Sequence, residues 1–168
     1  AGDWQVANCD VGQGDSMVIN LQHGQAIVID VGPDPAAENK CLRNLGITEI
    51  PLLILSHYHA DHVGYAGALA AITGAPIYMG AVEHAQASWS LAQSDAAFGN
   101  IMGDTYARFG LASDIVERIR SQGNYFRKLS GDLPDVTIID TDHRFHSKSG
   151  VWTPRFDTGH SPGHMSLS

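Results

Sequence analysis

Four residues in one short stretch, His57, His59, Asp61 and His62, carry the donors that a borderline divalent cation prefers. On extended backbone, residues i and i+2 point the same way, so His57 and His59 can converge on one ion. Asp61 and His62 fall where the chain turns into a helix, and there they can present an adjacent set of ligands. A solvated loop that happens to be rich in histidine is the competing reading. The motif's position at the end of an apolar strand counts against it, because α/β proteins place sites at the C-terminal ends of strands. A second cluster follows, Thr158-Gly159-His160-Ser161-Pro162-Gly163-His164. Its glycines permit a tight turn that can carry His160 close to a metal. His57, His59 and His160 would make a set of three protein ligands with an open position for water, as catalytic zinc requires. His164 either supports a ligand from behind or is simply a packed histidine.

Positioning these residues requires a frame. Trp4–Cys9, Ser16–Leu21 and Ala26–Val31 are short β-rich runs separated by glycine-rich turns, which predicts a meander. Pro35–Leu45 predicts a helix, with Pro at its start and Gly46 as its stop. Pro51–Leu55 is a continuous apolar run, as expected of a strand covered on both faces, and it feeds directly into the histidine motif. A helix is expected from His62 to Thr73, a strand at Pro76–Met79, and a helical insert over about 81–130. Strands are expected again after Pro134, at Val136–Asp140 and Val151–Phe156, with another beginning at Met165. The class is therefore α/β with mixed sheets, read as one domain spanning 1–168.

Composition narrows the partners. The net charge is −8 with only ten basic residues, scattered along the chain, which argues against a nucleic-acid surface. No apolar run is long enough to span a membrane. The opening Ala-Gly-Asp-Trp-Gln has neither the basic nor the apolar segment of a signal peptide, so a cytoplasmic location is expected; a processed N-terminus in a periplasmic or secreted protein would look the same. Cys9 and Cys41 lack the spacing of a redox or metal pair and are expected to be buried free thiols rather than a disulfide.

His-x-His-x-Asp-His followed by Gly-His-Ser-Pro-Gly-His resembles the metallo-β-lactamase superfamily, and its glyoxalase II-like and lactonase-like hydrolases in particular. Ile29-Asp30-Val31-Gly32 resembles that family's strand-ending Asp-x-Gly, which implies that Asp30 supports the metal loop from behind the ligands. Asp10-Val11-Gly12-Gln13-Gly14-Asp15-Ser16 resembles the opening of the related domain in DNA-uptake channel proteins. The resemblance implies an αββα sandwich with two metal sites, zinc above all, though iron or manganese suit the same donors. His57, His59 and His160 would hold one ion. Asp61 and His62 would contribute to the other, which in the family also takes a bridging Asp and a last His from further downstream. No such residues follow here, so the second half of the sandwich is expected to be incomplete. An uncovered sheet edge and apolar face are then expected to favour oligomerisation or a missing C-terminal segment.

The resemblance further implies hydrolysis of an ester, thioester or lactone in a small molecule by a zinc-bound hydroxide, with Asp61 orienting it. Activity would fall at acidic pH, because the ligands must be neutral imidazoles. The competing readings are a metal-binding or scaffold module that has lost catalysis, and a phosphodiesterase or nuclease, which the acidic charge disfavours. His23 and His84 read as surface or core residues, and Asp157 as a solvated turn residue. His143 and His146 precede a strand and can lie near the pocket. Tyr58 and Tyr65 flank the metal loop, where they either pack or touch substrate. Trp89, Phe98, Tyr106 and Phe109 either line a substrate pocket or form the core of the insert.

Overall fold

The computed structural model describes residues 3–133 and 135–168. Ala1 and Gly2, part of the segment inspected for a signal peptide, and Pro134, the boundary expected before the returning strands, lie outside them.

Three antiparallel strands, β1 (Val6–Asn8), β2 (Met17–Gln22) and β3 (Gln25–Ile29), form the expected meander. Three parallel strands extend it, β4 (Glu49–Leu55), β5 (Ile77–Gly80) and β6 (Val136–Ile139), and the order across the sheet is the order in sequence. Parallel neighbours need crossovers. Helix α1 (Pro35–Leu45) links β3 to β4. Helices α2 (Ala60–Val63) and α3 (Ala66–Thr73) link β4 to β5. The third crossover is the helical insert: α4 (Ala81–Ala92), α5 (Asp95–Arg108), α6 (Ser113–Ser121) and α7 (Tyr125–Ser130). Helix α1 shows why local sequence suffices for some elements: the Asp34 carboxylate caps Ala36 N–H at 2.8 Å, Pro35 opens the helix, and Gly46 closes it in the left-handed region at φ 75°.

The period of two in the strands sorts their side chains between two cores. Ile50, Leu53 and Leu55 of β4 join Val18, Ala26, Val28, Ile77 and Met79 beneath the helices, where Leu42, Val63, Leu69 and Phe126 meet them. Ile54 points the other way and packs with Ile19, Ile27 and Ile139 against Phe145 and Met165. Both faces of the sheet are therefore covered, which explains the continuous apolar run of β4. Leu53 is fully buried, and truncating it to alanine would cost about 2–5 kcal/mol.

The second layer consists of two hairpins, β7 (Phe145–Ser147) with β8 (Gly150–Trp152) and β9 (Pro154–Asp157) with β10 (His164–Leu167). The strand expected over Val151–Phe156 is thus two strands, divided at Thr153. Its N–H and carbonyl both bond to Ser168, and Pro154 follows without a donor of its own. The helix expected from His62 to Thr73 is likewise divided, at Gly64-Tyr65, and its first turn starts earlier, at Ala60. The cysteines also depart from expectation. Cys9 just beyond β1 and Cys41 in α1 form a disulfide with Cα atoms 5.7 Å apart. Their separation of 32 residues hid the pairing, since the meander folds β1 back beside a helix that follows three strands later.

Candidate metal centre

Neighbouring parallel strands end on the same side and deliver their groups to one edge of the sheet. Strand β3 leads into Asp30, whose backbone is held in the left-handed region at φ 56° and whose N–H bonds to the Ile54 carbonyl at 2.9 Å. Strand β4 leads into Ser56 and His57. Strand β5 leads into Glu83, in the first turn of α4.

Asp30 is buried and organises the loop. One carboxylate oxygen accepts Ser56 N–H at 2.8 Å; the other accepts the Ser56 hydroxyl at 2.5 Å and His62 Nδ1–H at 3.1 Å. Because Ser56 donates its hydroxyl proton to Asp30, its oxygen is free to accept from His57 Nδ1–H at 2.9 Å. This relay assigns the His57 tautomer, leaving its Nε2 as an unprotonated lone pair, and puts the proton of a neutral His62 on Nδ1.

His57 Nε2 stands 3.1 Å from His59 Nδ1 and 3.1 Å from His160 Nε2. In the absence of a metal, His57 Nε2 can accept from either neighbour; with all three nitrogens unprotonated the same convergence is a ligand set. Tetrahedral ligands about 2.0–2.1 Å from a metal stand roughly 3.3 Å from one another. The ligand atoms of His57, His62 and His160 also lie within 4.8 Å of one another, so His62 borders the same space. The donor set and its spacing therefore fit a divalent cation. Burial, followed by the neighbouring imidazoles, lowers the His57 pKa to about 2, so this ring stays neutral at any ordinary pH. Burial and His160 lower that of His59 as well. At His62 burial opposes the charged form, but the hydrogen bond and charge of Asp30 outweigh it and raise the pKa.

Sequence reasoning passed over the residue that joins the two loops. Glu83 is fully buried. Its Oε2 accepts Tyr58 N–H of the first loop at 2.9 Å, while its Oε1 accepts the Ser161 hydroxyl at 2.9 Å and Gly163 N–H at 2.6 Å of the second. The available signal was a carboxylate just beyond the strand next to the motif, on the same edge of the sheet. Ser56 was missed in the same way, although it stands directly before His57.

Asp61 reaches the edge of the cluster, where Gln13 Nε2 donates to its Oδ2 at 3.4 Å. The glycine-rich loop after β1 is packed hard against it: a Cβ on Gly14 would lie 1.7 Å from the Asp61 carbonyl oxygen, and Gly14 has φ 84°. That glycine-rich loop buttresses the metal loop. His164 is the first residue of β10, with its ring centroid 5.3 Å from that of His57 and its Nδ1 3.8 Å from Asp157. Asp157 is exposed and accepts Gly159 N–H at 3.1 Å, as expected of a solvated turn residue. Tyr58, Trp89, Phe98 and Tyr106 line a cavity beside His59 and Asp61. Phe109 does not, being 84% exposed. Tyr65 is buried and accepts a bond from Asn39 at 2.8 Å, which makes it a packing residue. His143 pairs with Asp140 at 3.0 Å in an exposed turn, His146 is exposed on β7, and His84 faces Ser88 along α4. His23 sits in the β2–β3 turn at φ 53°.

A mixed sheet between helices and a second β layer, with histidines converging at its C-terminal edge, corresponds to three layers of an αββα sandwich. A family model described as the metallo-beta-lactamase superfamily matches residues 9–168, and the chain belongs to that superfamily. It is 32% identical over 102 residues to a UPF0173 metal-dependent hydrolase of Cupriavidus necator, a match covering 58% of this chain and 32% of that protein. Among solved structures it is similar to a beta-lactamase domain protein from Burkholderia ambifaria, with a TM-score of 0.65 and 19% identity over 96% of this chain and 50% of that one. A metallo-beta-lactamase from Cronobacter sakazakii gives a TM-score of 0.64 and 18% identity over 99% and 58%. The chain thus spans about a third of the curated relative and about half of these structures.

Proposed function

We propose that this chain carries the metal centre of a hydrolase that cleaves an ester, thioester or lactone in a small molecule, with zinc as the metal. The convergence of His57, His59 and His160 at 3.1 Å carries this reading, and the name of the Cupriavidus relative agrees with it. His57, His59 and His160 would hold one ion, and Asp61 with His62 would contribute to a second. When bound, the metal supplies Lewis acidity and a water that ionises near neutral pH. The chain's own residues do the rest. The Asp30–Ser56–His57 relay keeps Nε2 unprotonated, Glu83 fixes the separation of the two ligand loops, and Asp61 would accept a proton from water or orient it. Arg120 and Arg127 of the insert pair with Asp104 and Asp95, and ten basic residues against eighteen acidic ones in the whole chain disfavour a phosphodiester substrate. No helix is long and apolar enough to cross a membrane. The Cys9–Cys41 disulfide supports an oxidising compartment over the cytoplasm.

Metal analysis after dialysis against zinc tests the assignment. Bound zinc that disappears in His59→Ala and persists in His84→Ala is the expected result. No zinc in the unsubstituted chain, or equal content in both variants, would overturn it.

A further inference from the structure

Cys9 opens the glycine-rich loop that ends at Ser16, and its N–H bonds to the Ser16 carbonyl at 2.8 Å, closing the loop at its neck. The tip of that loop bears on the metal centre. Gly14 leaves no room for a Cβ against the Asp61 carbonyl, and Gln13 Nε2 donates to Asp61 Oδ2 at 3.4 Å. The flank is tied to the same place: Gly32 N–H bonds to the Asp15 carbonyl at 3.1 Å, and Val31 N–H to the His62 carbonyl at 3.1 Å. Whatever fixes the neck therefore also steadies the histidine motif.

The two residues of the neck both meet helix α1, and their attachments differ in strength. Cys9 is bonded covalently to Cys41. Ser16 lies beside the carboxyl group of Glu38, one turn earlier on the helix, and neither side chain makes a well-formed hydrogen bond. A buried carboxyl group without good partners gains by meeting water. This second attachment thus favours separation of the neck from α1, and the disulfide opposes it. Val11 packs in the core between them, so opening the bridge would loosen the loop without detaching it. Reagents can approach from the Cys41 side: Cys9 is buried, whereas Cys41 is half-buried and borders an open cleft with Lys40 and Asn44. One thiolate of a dithiol attacks Cys41 Sγ, and the Cys9 sulfur leaves and takes up a proton. The second thiol then displaces Cys41, which is protonated in turn. The dithiol ends as a disulfide, and the chain has gained two electrons and two protons.

We propose that the Cys9–Cys41 bridge is a redox-sensitive latch. Closed, it holds the glycine-rich loop on Asp61; opened by a dithiol, it releases that loop and weakens metal binding. The release rests on the placement of the bridge alone, and the effect on the metal rests on the metal-centre reading.

Two measurements test it. On metal-free protein, amide relaxation by NMR gives backbone order parameters for residues 10–15 before and after reduction with dithiothreitol. A rigid backbone has a value of about 0.85 and a flexible one lies below about 0.6. Gly12, Gln13, Gly14 and Asp15 are expected to fall from the first range to the second while α5 stays in the first. Zinc affinity is then compared, without reductant, between the oxidised chain and the double variant Cys9→Ser, Cys41→Ser. A loss of about tenfold is expected, the lower end of what removing support for a ligand costs. Val116→Ala truncates a buried side chain in α6 and should leave zinc affinity unchanged, which separates release of the loop from general destabilisation. Order parameters unchanged by reduction would overturn the proposal, and this arm needs no substitution, so it decides even where the double variant does not fold. Zinc bound equally tightly by the oxidised chain and the double variant, or an equal loss in Val116→Ala, would also overturn it. Order parameters that fall in a chain that binds no zinc would uphold the latch on the loop and refute the metal-centre reading.

Discussion

Glu83 Oε2 accepts the backbone N–H of Tyr58 at 2.9 Å, so the loop carrying His57 and His59 hangs from the helix that follows the neighbouring strand. The same carboxylate holds Ser161 and Gly163 on the opposite loop. Every group facing it is a donor. Glu83→Gln would turn one acceptor into an amide that points donors at donors. We expect this variant to fold but to bind zinc about tenfold to a hundredfold more weakly, the usual cost of losing a group that positions ligands. Competition against a chromophoric chelator measures it, and unchanged affinity would show that the loops hold their spacing without the clamp.

Gly14 and Gly12 make an internal control. Both have positive φ, 84° and 82°, but a Cβ at Gly14 meets the Asp61 carbonyl whereas one at Gly12 meets nothing within 4 Å. Gly12→Ala should cost only the backbone strain, about 1–2 kcal/mol. Gly14→Ala must also displace Asp61, and should lower zinc occupancy as well as stability. Parallel urea melts and zinc titrations separate the two effects; equal zinc affinity in both variants would count against the buttress.

Reduction of the disulfide removes a constraint closing a loop of 32 residues. The chain-entropy relation gives about 3–4 kcal/mol for a loop of that length. Urea denaturation with and without dithiothreitol should show that loss, and the double variant Cys9→Ser, Cys41→Ser should show no response to the reductant.

Glu38 is buried in α1 with the Ser16 hydroxyl beside it, too poorly aligned to make a good hydrogen bond and too weak to offset the burial of the carboxylate. Burial pushes its pKa from 4.5 up to about 7. Between those values the folded chain holds a proton that the unfolded chain has released, so this group's contribution to stability declines as pH rises and levels off above the upper value. The decline amounts to about 3 kcal/mol. Glu38→Gln removes the titration. Its stability relative to the unsubstituted chain should therefore be higher at pH 8 than at pH 5, and a difference independent of pH would refute the shift.

How much of this was legible depended on distance along the chain. His57, His59, Asp61 and His62 were readable because a strand end and a helix start impose their geometry within six residues. His160, 103 residues from His57, was readable only because glycines flank it in a second histidine-rich turn. Asp30 was readable through resemblance rather than through any local pattern. Glu83 and Ser56 were not: a lone acid and a lone hydroxyl have no periodicity, and their roles exist only once β4 and β5 lie side by side. The Cys9–Cys41 bridge failed for the same reason, and the division of the last strands at Thr153 depends on a bond to Ser168 that no window along the sequence contains.

Helix α4 carries Glu83 and, one and two turns further on, Gln86 and Trp89, which with residues of α5 and α7 line the cavity beside His59 and Asp61. The rod that ties the ligand loops together is thus also a wall of the cavity. Tilting or sliding it to reshape that wall would pull Tyr58, Ser161 and Gly163 out of register. Exchanging side chains on its cavity face would not. Diversification of specificity on this frame is therefore channelled into substitutions rather than backbone movement, and into α5 and α7 more freely than into α4.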